Sequence, residues 1–549
     1  MFRDRIHSKK GAALITSVMV MLMVSMFGLA YVALTTTNLL RAGRDERRAT
    51  AFHLAEAGLE YVVAQITTQA ETNGGKIMPW NFNSSSLLDS LRSPATGTVV
   101  VTPDTGVSKY ATVTSSATYR GITQTVQVRL KIRNVGIWDN AIFAGIGQSG
   151  RGINGNVDVR GSVHILGEGE PFSDLNGNGV WDAAEPFADN NGNGIFEPDL
   201  GETFTDLDGN GLWSDAEPFQ DNNLNGVYDP PLTATELASD ISGDAHIGNN
   251  YDGMPSTLQT KIPALVPEPF AGESVYTLNA ELRVKHGKVN VSGSATVGLP
   301  NVMGNAVKET MDGCYVNDGY GGNQGTNNVY SDNGASQLYD LGDRVSFPSL
   351  LDPYTDPDTG ISYDTYKDYL VGRSLLVPVS VIDSATSSFS YSSGTNSISW
   401  DAPTDTLTIS GIIRIAGDLD LCKKQEALNY TGSGTLFVEG DIQVHGSVMP
   451  TSTFPTVDAL GCIAGQDIYF ATGGGEAQLD AAGAWFAQRT ILSAKQNQFA
   501  GTYLASYFDM GTNVPNIYQV PELATNLPPG MPGGDVRIVI AQVLSWRHL

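Results

Sequence analysis

The sequence predicts a mainly β protein that carries one long N-terminal α-helix. Its 549 residues include 61 Gly and 26 Pro, and only 16% are charged, which favours many short strands joined by tight turns. An uncharged run over residues 12–34 predicts the helix. Segments with recurrent Gly corners predict stacked strands. At about 100–200 residues per domain, this length suggests three or four folded units.

The charge of the chain is strongly acidic and unevenly placed. Lys and Arg number 32 against 58 Asp and Glu, a net charge of −26. Such a surface repels phosphate backbones, so we expect no nucleic-acid partner. Residues 171–231 contain 13 Asp and Glu and no Lys or Arg. A segment of one sign either repels itself into disorder or holds cations, and its residue spacing decides between these.

The amino-terminal helix is long enough to cross a membrane. A basic leader, residues 1–11, precedes 23 uncharged residues, which make a helix of about 35 Å against about 30 Å of hydrocarbon. The basic start predicts a cytoplasmic amino end. Beyond the span, an apolar stripe at spacings of 3, 4, 3 and 4 predicts that the helix covers 12–70 and packs on a globular head. This stripe comprises Phe52, Ala55, Leu59, Val62 and Ile66. A plain one-pass anchor is the simpler alternative.

Two motifs within residues 1–70 carry a resemblance to a known family. Lys9-Lys10-Gly11 stands before Ala12-Ala13-Leu14-Ile15, and Ala55-Glu56-Ala57-Gly58-Leu59-Glu60 follows later. This pattern resembles type IV pilin-like proteins, above all the PilX-type minor pilins. The resemblance implies cleavage by prepilin peptidase between Gly11 and Ala12, a single pass through the inner membrane before assembly, and contacts with other pilins through the helix. The head would then be extracytoplasmic, in the periplasm or on a pilus at the cell surface.

One position departs from the pattern of major pilins. Major pilins carry Glu at mature position five, where this chain has Thr16. In pilin-like filaments that Glu contacts the amino terminus of the subunit ahead. A subunit without it resembles the members that prime or cap a filament.

Residues 71–134 predict a small antiparallel β-meander. Strand-like runs at 98–101, 110–113 and 126–132 alternate in polarity, and turn residues at 103–106 separate the first two. This meander is placed where a pilin-like head would pack on its helix.

An internal repeat predicts a β-solenoid in the rest of the chain. Segments 155–163, 287–295 and 440–448 each predict a strand, a Gly corner and a second strand, and 243–247 predicts a further coil. Near the carboxyl end, Gly417, Gly440 and Gly465 are 23 and 25 residues apart, and 483–487 echoes 501–505. Periods near 20 favour a parallel solenoid, and an ordinary β-sandwich is the alternative. The predicted divisions are a first solenoid-like segment 135–168, a middle β region 233–400 and a C-terminal solenoid-like domain 401–549.

The acidic segment 169–232 predicts an arm of calcium loops. Calcium prefers oxygen ligands at alternate positions of a twelve-residue loop, with Gly sixth and a bidentate Glu last. Two loops, the first and the third, fit at every position. The first comprises Asp174, Asn176, Asn178, Val180, Asp182 and Glu185, and the third comprises Asp206, Asp208, Asn210, Leu212, Ser214 and Glu217.

The second and fourth loops lack the twelfth Glu. They comprise Asp189, Asn191, Asn193, Ile195 and Glu197, and Asp221, Asn223, Asn225, Val227 and Asp229. Glu202 is available to the second loop, and no obvious residue serves the fourth. Pro186 and Pro218 disfavour exit helices, so the loops resemble the tandem calcium loops of dockerin and thrombospondin-type repeats rather than helix-loop-helix hands. A disordered acidic linker is the alternative.

The sequence contains no motif that predicts an enzyme. Its seven histidines form no spaced metal pair, and neither a nucleophile elbow nor a phosphate loop is present. His164 and His445 lie in or beside repeat copies and are expected to be strand side chains. Cys422 and Cys462 are expected about two coils apart, near 10 Å, whereas a disulfide needs Cα atoms within about 7 Å.

These patterns together predict a minor pilin-like structural protein that primes or caps a type IV pilus-like filament. Its calcium-stabilised arm would help to present a surface for adhesion to an unknown ligand. The alternative is a membrane-anchored, calcium-dependent surface adhesin that never enters a filament, and cleavage at Gly11 discriminates the two. A carbohydrate-active solenoid enzyme is a third hypothesis, which requires a carboxylate cluster in a groove.

Overall fold

The computed structural model divides the chain into two compact units. One comprises Met1–Asn134 with Val539–Leu549, and the other comprises Val135–Ile538. The structure describes the chain apart from residues 1–4, 74, 105, 107, 146–151, 168, 171, 176–179, 207–210, 222–225, 229–245, 249, 266, 271–272, 277, 279, 281, 285–295, 298–344 and 536–537.

The predicted helix is confirmed as a continuous element. Helix α1 (Arg5–Thr72) runs for 68 residues. Among the described residues, it is the helix that is long and apolar enough to cross a bilayer, and its apolar half is exposed throughout. The second half buries the predicted stripe, since Ala55, Leu59, Val62 and Ile66 are buried and Phe52 is partly buried against the same core.

The helix ends where the sequence predicts. The Gly75 N–H donates to the Ala70 carbonyl at 2.8 Å, with φ of +69° at Gly75. A Cβ atom at this position would lie 1.9 Å from Asn134 Oδ1. Glycine at position 75 therefore permits both the turn at the end of the helix and the close approach of Asn134.

The first unit contains the three predicted strands of the meander and two strands that the sequence did not predict. Its strands pair in the order β1-β2-β3-β4-β31, all antiparallel. Short helix α2 (Ser85–Leu91) lies between β1 and β2. The bounds are β1 (Trp80–Asn83), β2 (Ala95–Pro103), β3 (Tyr110–Tyr119), β4 (Ile122–Asn134) and β31 (Val539–His548).

Strand β31 corrects the predicted C-terminal domain 401–549. Trp546 pairs with Val128 and Val539 with Asn134, so the last residues belong to the meander sheet rather than to the solenoid. Alternation of Val and Thr along β2 to β4 buries one face of this sheet against α1. The domain boundary was missed because a strand completing a distant sheet has no local sequence signal.

The second unit is built mainly from short parallel strands. The described part of this unit has helices α3 (Ser256–Gln259) and α4 (Tyr366–Arg373) and 3₁₀ turns at Ile137–Asp139, Pro198–Leu200, Ala402–Thr404 and Pro521–Thr525. Its strands up to residue 297 are β5 (Ile142–Ala144), β6 (Ile153–Asn154), β7 (Asp158–Arg160), β8 (Val163–Ile165), β9 (His246–Gly248), β10 (Pro267–Phe270), β11 (Glu273–Tyr276), β12 (Leu282–Val284) and β13 (Thr296–Val297). Those from residue 354 are β14 (Tyr354–Thr355), β15 (Ser362–Tyr363), β16 (Leu375–Leu376), β17 (Val381–Ile382), β18 (Phe389–Ser393), β19 (Asn396–Asp401), β20 (Thr406–Ile415), β21 (Leu419–Leu421), β22 (Ala427–Thr431), β23 (Ser433–Val438), β24 (Ile442–Val444), β25 (Ser447–Pro450), β26 (Ala459–Ala464), β27 (Ile468–Phe470), β28 (Asp480–Ser493), β29 (Gln498–Asp509) and β30 (Asn516–Tyr518).

The predicted parallel solenoid is confirmed by strand register. Leu436 pairs with Ile413 on one side and Cys462 on the other, and Cys462 pairs in turn with Trp485. The corners stack as predicted, since the Gly440 N–H donates to the Gly417 carbonyl at 3.2 Å. In the well-formed coils, three short strands such as β23, β24 and β25 follow one another before the chain returns to the first face.

The coils do not stack in simple chain order. Tyr503 of β29 pairs with Ile142 of β5, and Tyr518 of β30 pairs with Arg160 of β7, so the last coil lies directly on the first. From there β8 and β9 continue outward to β12 and β13. The repeat copy at 287–295 and most of 243–247 lie outside the described residues, whereas the copies at 155–163 and 440–448 have the predicted strand, Gly and strand.

The two described cysteines lie on different faces of the solenoid, and the predicted lack of a Cys422–Cys462 bridge stays a prediction. Both thiols are free and buried. Cys422 follows β21 on one face of the solenoid, and Cys462 lies in β26 on another. Burial raises the pKa of the Cys422 thiol to about 12, and it also raises the pKa of Cys462. Cys314 lies outside the described residues.

Candidate calcium-binding arm

The acidic arm joins β8 to β9 and is built from two sequence repeats offset by 32 residues. Its described residues form no strand, only isolated antiparallel bridges and one 3₁₀ turn. Phe172 bridges to Phe219, and Phe187 bridges to Phe204. The two bridges are related by exchange of the repeats, because Phe172 corresponds to Phe204 and Phe187 corresponds to Phe219. Each repeat therefore packs against the other rather than on itself.

Two aromatic quartets form the core of the arm. The first quartet comprises Phe172, Trp181, Phe219 and Tyr228, and the second comprises Phe187, Phe196, Phe204 and Trp213. In the first, the Trp181 and Tyr228 rings stack at 4.6 Å, and in the second, the Phe196 and Trp213 rings stack at 5.3 Å. Each quartet takes two members from each repeat, which makes the arm one interleaved structure.

The twelfth glutamates are exchanged between the first and third loops. Glu217, which ends the third loop in sequence, accepts hydrogen bonds from the Leu175 N–H at 2.6 Å and the Asp182 N–H at 3.2 Å in the first loop. The Trp181 indole N–H donates to the Glu217 carbonyl at 2.7 Å. This placement differs from the sequence interpretation, in which Glu217 serves its own loop.

Glu185 makes the reciprocal contact. Its carboxylate accepts from the Ser214 N–H at 3.1 Å, and the Trp213 indole N–H donates to its carbonyl at 2.9 Å. Backbone bonds of 3.0 Å from Glu185 to Ser214 and from Glu217 to Asp182 hold the two loops side by side. Both glutamates are only 4% exposed, so these carboxylates are fixed inside the arm.

Two further buried glutamates lie at equivalent positions of the repeats. Glu202 accepts from the Asn190 N–H at 2.9 Å and the Glu197 N–H at 2.7 Å, which places it in the second loop, as the sequence suggested. Glu170, 32 residues earlier, is 2% exposed. Burial raises the pKa of Tyr228 in the fourth loop, and the nearby Glu170 charge raises it further. The sequence interpretation missed Glu170, although its offset from Glu202 was a usable signal.

The second loop is described completely and shows how a loop is organised. Asp189 accepts backbone N–H groups from Gly192 at 2.6 Å and Gly194 at 2.7 Å. Asn191 and Asn193 both donate their side-chain amides to Glu197 Oε2, at 2.6 and 2.8 Å. Three of the predicted ligand side chains, those of Asn191, Asn193 and Glu197, are therefore in direct contact. The backbone N–H groups, that of Gly194 first, lower the pKa of Asp189 and keep it ionised.

The third and fourth loops repeat the hydrogen bond from the sixth-position glycine to the first aspartate of the loop. The Gly211 N–H donates to Asp206 at 2.9 Å, and the Gly226 N–H donates to Asp221 at 2.7 Å. Both glycines have φ of +77°, the left-handed conformation that a sixth-position glycine permits. The seventh residues Val180, Ile195, Leu212 and Val227 leave their side chains exposed, in keeping with a role for the backbone carbonyl alone.

The remaining predicted ligands lie outside the described residues. They are Asn176, Asn178, Asp208, Asn210, Asn223, Asn225 and Asp229. Within the described part of the chain, no group of three or more His, Cys, Asp or Glu side chains converges in metal-binding geometry. The donors of the loops are carboxylate, amide and carbonyl oxygens, a set that suits a hard cation such as Ca²⁺.

The predicted cleavage junction lies within α1. Gly11 and Ala12 are part of its continuous helical backbone. Thr16 is exposed, and its hydroxyl donates to the Ala13 carbonyl at 3.1 Å. A hydroxyl satisfied within its own helix presents no charge at position 16.

The two histidines that are expected to be strand side chains, His164 and His445, have different surroundings. His164 lies in β8, fully buried, with its ring 5.1 Å from that of Phe143, as expected for a strand side chain. His445 follows β24, and its Nδ1 lies 2.6 Å from Glu476 Oε1. Asp420 Oδ1 is 3.7 Å from the other ring nitrogen. One carboxylate–histidine pair of this kind also occurs as a structural ion pair and assigns no reaction.

No protein-family model matches the sequence, and no curated protein matches it. Among solved structures, the chain is similar to the competence-associated pilin ComZ from Thermus thermophilus, with a TM-score of 0.48 and 18% identity, covering 92% of this chain and 97% of that one.

Proposed function

We propose that this protein is a minor pilin-like subunit that primes or caps a type IV pilus-like filament. The observation that supports this most is the division of α1. Its first half exposes an unbroken apolar surface, and its second half is buried on the antiparallel sheet. Exposed apolar helix of this length is stable only in a bilayer or against other apolar helices. The helix therefore inserts in the inner membrane and later packs against other pilins.

Thr16 supports a position at the filament end. A side chain without charge at mature position five cannot pair with the amino terminus of a subunit ahead. The first subunit of a filament has no such neighbour. The head would then remain accessible at the end of the filament, where it presents an adhesive surface.

Mass spectrometry of the amino terminus in protein purified from cell-surface filaments tests this proposal. We expect a chain that begins at Ala12, because the peptidase acts after Gly11. An intact leader on membrane-extracted protein, with no chain in filaments, would favour the alternative of a permanently anchored surface adhesin. Substitution of Gly11 by a bulky residue should abolish both processing and filament recovery.

We further propose that the arm binds calcium and that each complete loop takes its bidentate carboxylate from the other repeat. On this assignment, Asp174, Asn176, Asn178 and Asp182 act with Glu217, whereas Asp206, Asp208, Asn210 and Ser214 act with Glu185. The crossed contacts of both glutamates support the exchange. The loops of Asp189 and Asp221 would use Glu202 and Glu170, and would bind more weakly.

The charge of the arm gives the reason for a cation. Thirteen carboxylates without a single Lys or Arg repel one another, and bound calcium offsets that repulsion. Because neutral Asn supplies many ligands, we expect dissociation constants of about 10⁻⁴ to 10⁻³ M. Calorimetric titration of the full chain with calcium tests this, and absence of binding heat at millimolar calcium would leave only an acidic linker.

A further inference from the structure

One corner of the solenoid brings together a histidine and two carboxylates from three successive coils. Asp420 lies in β21, His445 directly follows β24, and Glu476 lies in the turn after β27. These three strands are neighbours in one parallel ladder, in which adjacent strands are about 4.8 Å apart. The His445 N–H donates to the Leu421 carbonyl at 3.0 Å. Backbone pairing therefore sets the level of Asp420 and His445 on neighbouring coils.

Glu476 holds the imidazole of His445 from the buried side of this corner. The Glu476 side chain is 1% exposed, and its Oε1 lies 2.6 Å from His445 Nδ1. The Gly473 N–H donates to Glu476 Oε2 at 2.6 Å. Because an ionised carboxylate can only accept, Nδ1 carries the proton, and the lone pair of the neutral imidazole is on Nε2. A carboxylate on the far nitrogen is the arrangement that orients metal-binding histidines.

The Nε2 atom of His445 is close to a second carboxylate but is not hydrogen-bonded to it. His445 Nε2 and Asp420 Oδ1 are 3.7 Å apart, beyond the range of about 2.7–3.2 Å for such a bond. Two ligands of one zinc ion, each about 2.0–2.2 Å from the metal, are about 3.4 Å apart in tetrahedral geometry. The side chains of His445 and Asp420 are 25% and 48% exposed, so an ion can reach the space between them from solvent.

The donor atoms at this corner favour a transition metal. An imidazole nitrogen with a carboxylate oxygen suits Zn²⁺ and its neighbours in the first transition row, whereas Ca²⁺ takes oxygen ligands. Among the described residues, no third His, Cys, Asp or Glu side chain joins these two in metal-binding geometry. Water would therefore complete the coordination of the ion. Lys424 donates to the Gly474 carbonyl, in the turn that carries Glu476.

We propose that His445 and Asp420 bind a divalent transition-metal ion, with Zn²⁺ as the expected ion, and that Glu476 is the positioning residue of His445. The ion joins two neighbouring coils at an exposed corner. The backbone ladder and the buried core already hold these coils, so the solenoid folds without the ion. The site differs from the calcium loops of the arm in its residues and in its ligand chemistry.

Chemical labelling of the full chain in detergent tests the proposal. Diethyl pyrocarbonate modifies accessible neutral imidazoles, and peptide mass spectrometry reports each modified histidine separately. All samples contain millimolar calcium, so that loops of the arm that bind calcium are filled. We expect Zn²⁺ in about tenfold excess over the protein to lower the labelling of His445 several-fold. Additional calcium should leave that labelling unchanged, because imidazole nitrogen is not a ligand of Ca²⁺.

His53 is the internal control for the labelling. Its Nδ1 lies 3.0 Å from Glu56 Oε2, so it has an orienting carboxylate as His445 has. In the described part of the chain, no second carboxylate pairs with the His53 ring. Its side chain is 74% exposed, so the reagent reaches it readily. We expect Zn²⁺ to leave the labelling of His53 unchanged.

Calorimetric titration with Zn²⁺ in the same buffer tests the role of each residue. Glu476→Gln keeps an acceptor for Nδ1 but removes the charge, and it should weaken zinc binding by about 10–100-fold. Asp420→Ala removes a ligand and should weaken binding at least as much. Asp364→Ala removes the same charge from an exposed site of the same unit and should match the unmodified protein.

Each contrary outcome would overturn a stated part of the proposal. Unchanged labelling of His445 in Zn²⁺ leaves only an ion-paired cluster and overturns the site. Equal protection of His53 identifies general binding to exposed imidazoles and also overturns it. Protection of His445 at the same zinc concentration in Asp420→Ala overturns the role of Asp420. If circular dichroism shows that Glu476→Gln does not fold, Asp420→Ala decides alone, because its exposed side chain is not part of the core.

Discussion

The solenoid and the acidic arm lie in one compact unit but are held together by different interactions. Solenoid coils join through continuous parallel hydrogen bonding, and their interior is fully buried, as at Phe470 and Trp485. The described part of the arm has isolated bridges, two aromatic quartets and buried glutamates bonded to backbone N–H groups. Both regions consist of sequence repeats, but among the described residues only the solenoid has a continuous ladder of backbone hydrogen bonds.

The difference follows from what each repeat can bury. Along the solenoid, an apolar residue of one coil pairs with an apolar residue of the next, as Leu436 does with Cys462. Burial of these residues is therefore enough to stabilise the coils. The arm brings carboxylates together and has no basic residue within 171–231. We therefore expect its stability to depend on the proposed calcium ions, which the solenoid does not need.

The largest expected effect comes from the solenoid core. Phe470 is fully buried, with its ring 4.9 Å from Trp485 and 4.7 Å from Phe499. Replacement by Ala should lower the free energy of unfolding by about 3–5 kcal/mol, equally in calcium and in chelator. Denaturant unfolding followed by fluorescence measures it, and Val457→Ala at an exposed site is the control. A calcium-dependent loss would contradict the separation of the two regions.

A second substitution should loosen the arm while leaving the solenoid intact. Trp213→Ala removes the stack on Phe196 and the indole bond to Glu185, a loss of about 2 kcal/mol. Hydrogen exchange should accelerate in peptides spanning 187–217. Peptides of β23 to β28 should exchange as before. Equal acceleration in both sets would mean that the arm and the solenoid unfold as one.

Crossed ligation gives a sharper test within the arm. Glu217→Gln should weaken calcium binding at one site at least about 10-fold, and more than Asn225→Ala weakens the fourth loop. Combined with Asp174→Asn, its effect should be strongly non-additive, because both act on the same ion. Combined with Asp206→Asn, the effects should add. Calorimetry measures the single variants and both combinations, and non-additivity only with Asp206→Asn would return Glu217 to its own loop.

The smallest expected effect concerns two aspartates of opposite behaviour. The Asp467 N–H donates to Asp441 at a solenoid corner, where burial first and then the neighbouring Asp467 and Asp418 raise the pKa of Asp441. Its ionisation therefore costs stability at neutral pH, and the cost disappears as the pH falls through that raised pKa. Asp441→Asn should stabilise the solenoid by less than about 1 kcal/mol at neutral pH, with the gain lost in acid.

Asp189 of the arm has the opposite sign. Its pKa is lowered by backbone N–H groups, so it contributes stability above its unfolded pKa and loses it as the pH falls through the lowered value. Asp189→Asn should loosen the second loop at neutral pH. Thermal unfolding of both variants across a pH series checks the pair, and a shift of the same sign in both would contradict this account.

The sequence predicted what depends on local periodicity. The stripe of α1, the Gly corners at 417 and 440, and the sixth-position glycines each carry their own signal. Pairings between distant segments had no such signal. Strand β31 completes a sheet more than 400 residues away in sequence, as its Arg547 contact with Gln127 illustrates, and β29 stacks on β5. A strand can add to any open edge of suitable register, so its partner is fixed by tertiary packing.

Contacts between separate segments also had no local sequence signal inside the arm. The spacing of oxygens predicted four calcium loops, and it assigned each twelfth Glu to the loop that contains it. The structure exchanges Glu185 and Glu217 because the aromatic quartets interleave the repeats. Trp181 and Trp213, at equivalent positions, hold the exchanged carboxylates through their indole N–H bonds to the same residues.

Hydrogen-exchange mass spectrometry of the full chain, in millimolar calcium and again in excess chelator, tests the central distinction most directly. We expect peptides of 172–228 to lose protection when calcium is removed, because their carboxylates then repel one another. Peptides of β20 to β29 should exchange identically in both conditions. Unchanged protection of the arm in chelator, or equal loss of protection in the solenoid, would contradict a metal-held arm on a metal-independent solenoid.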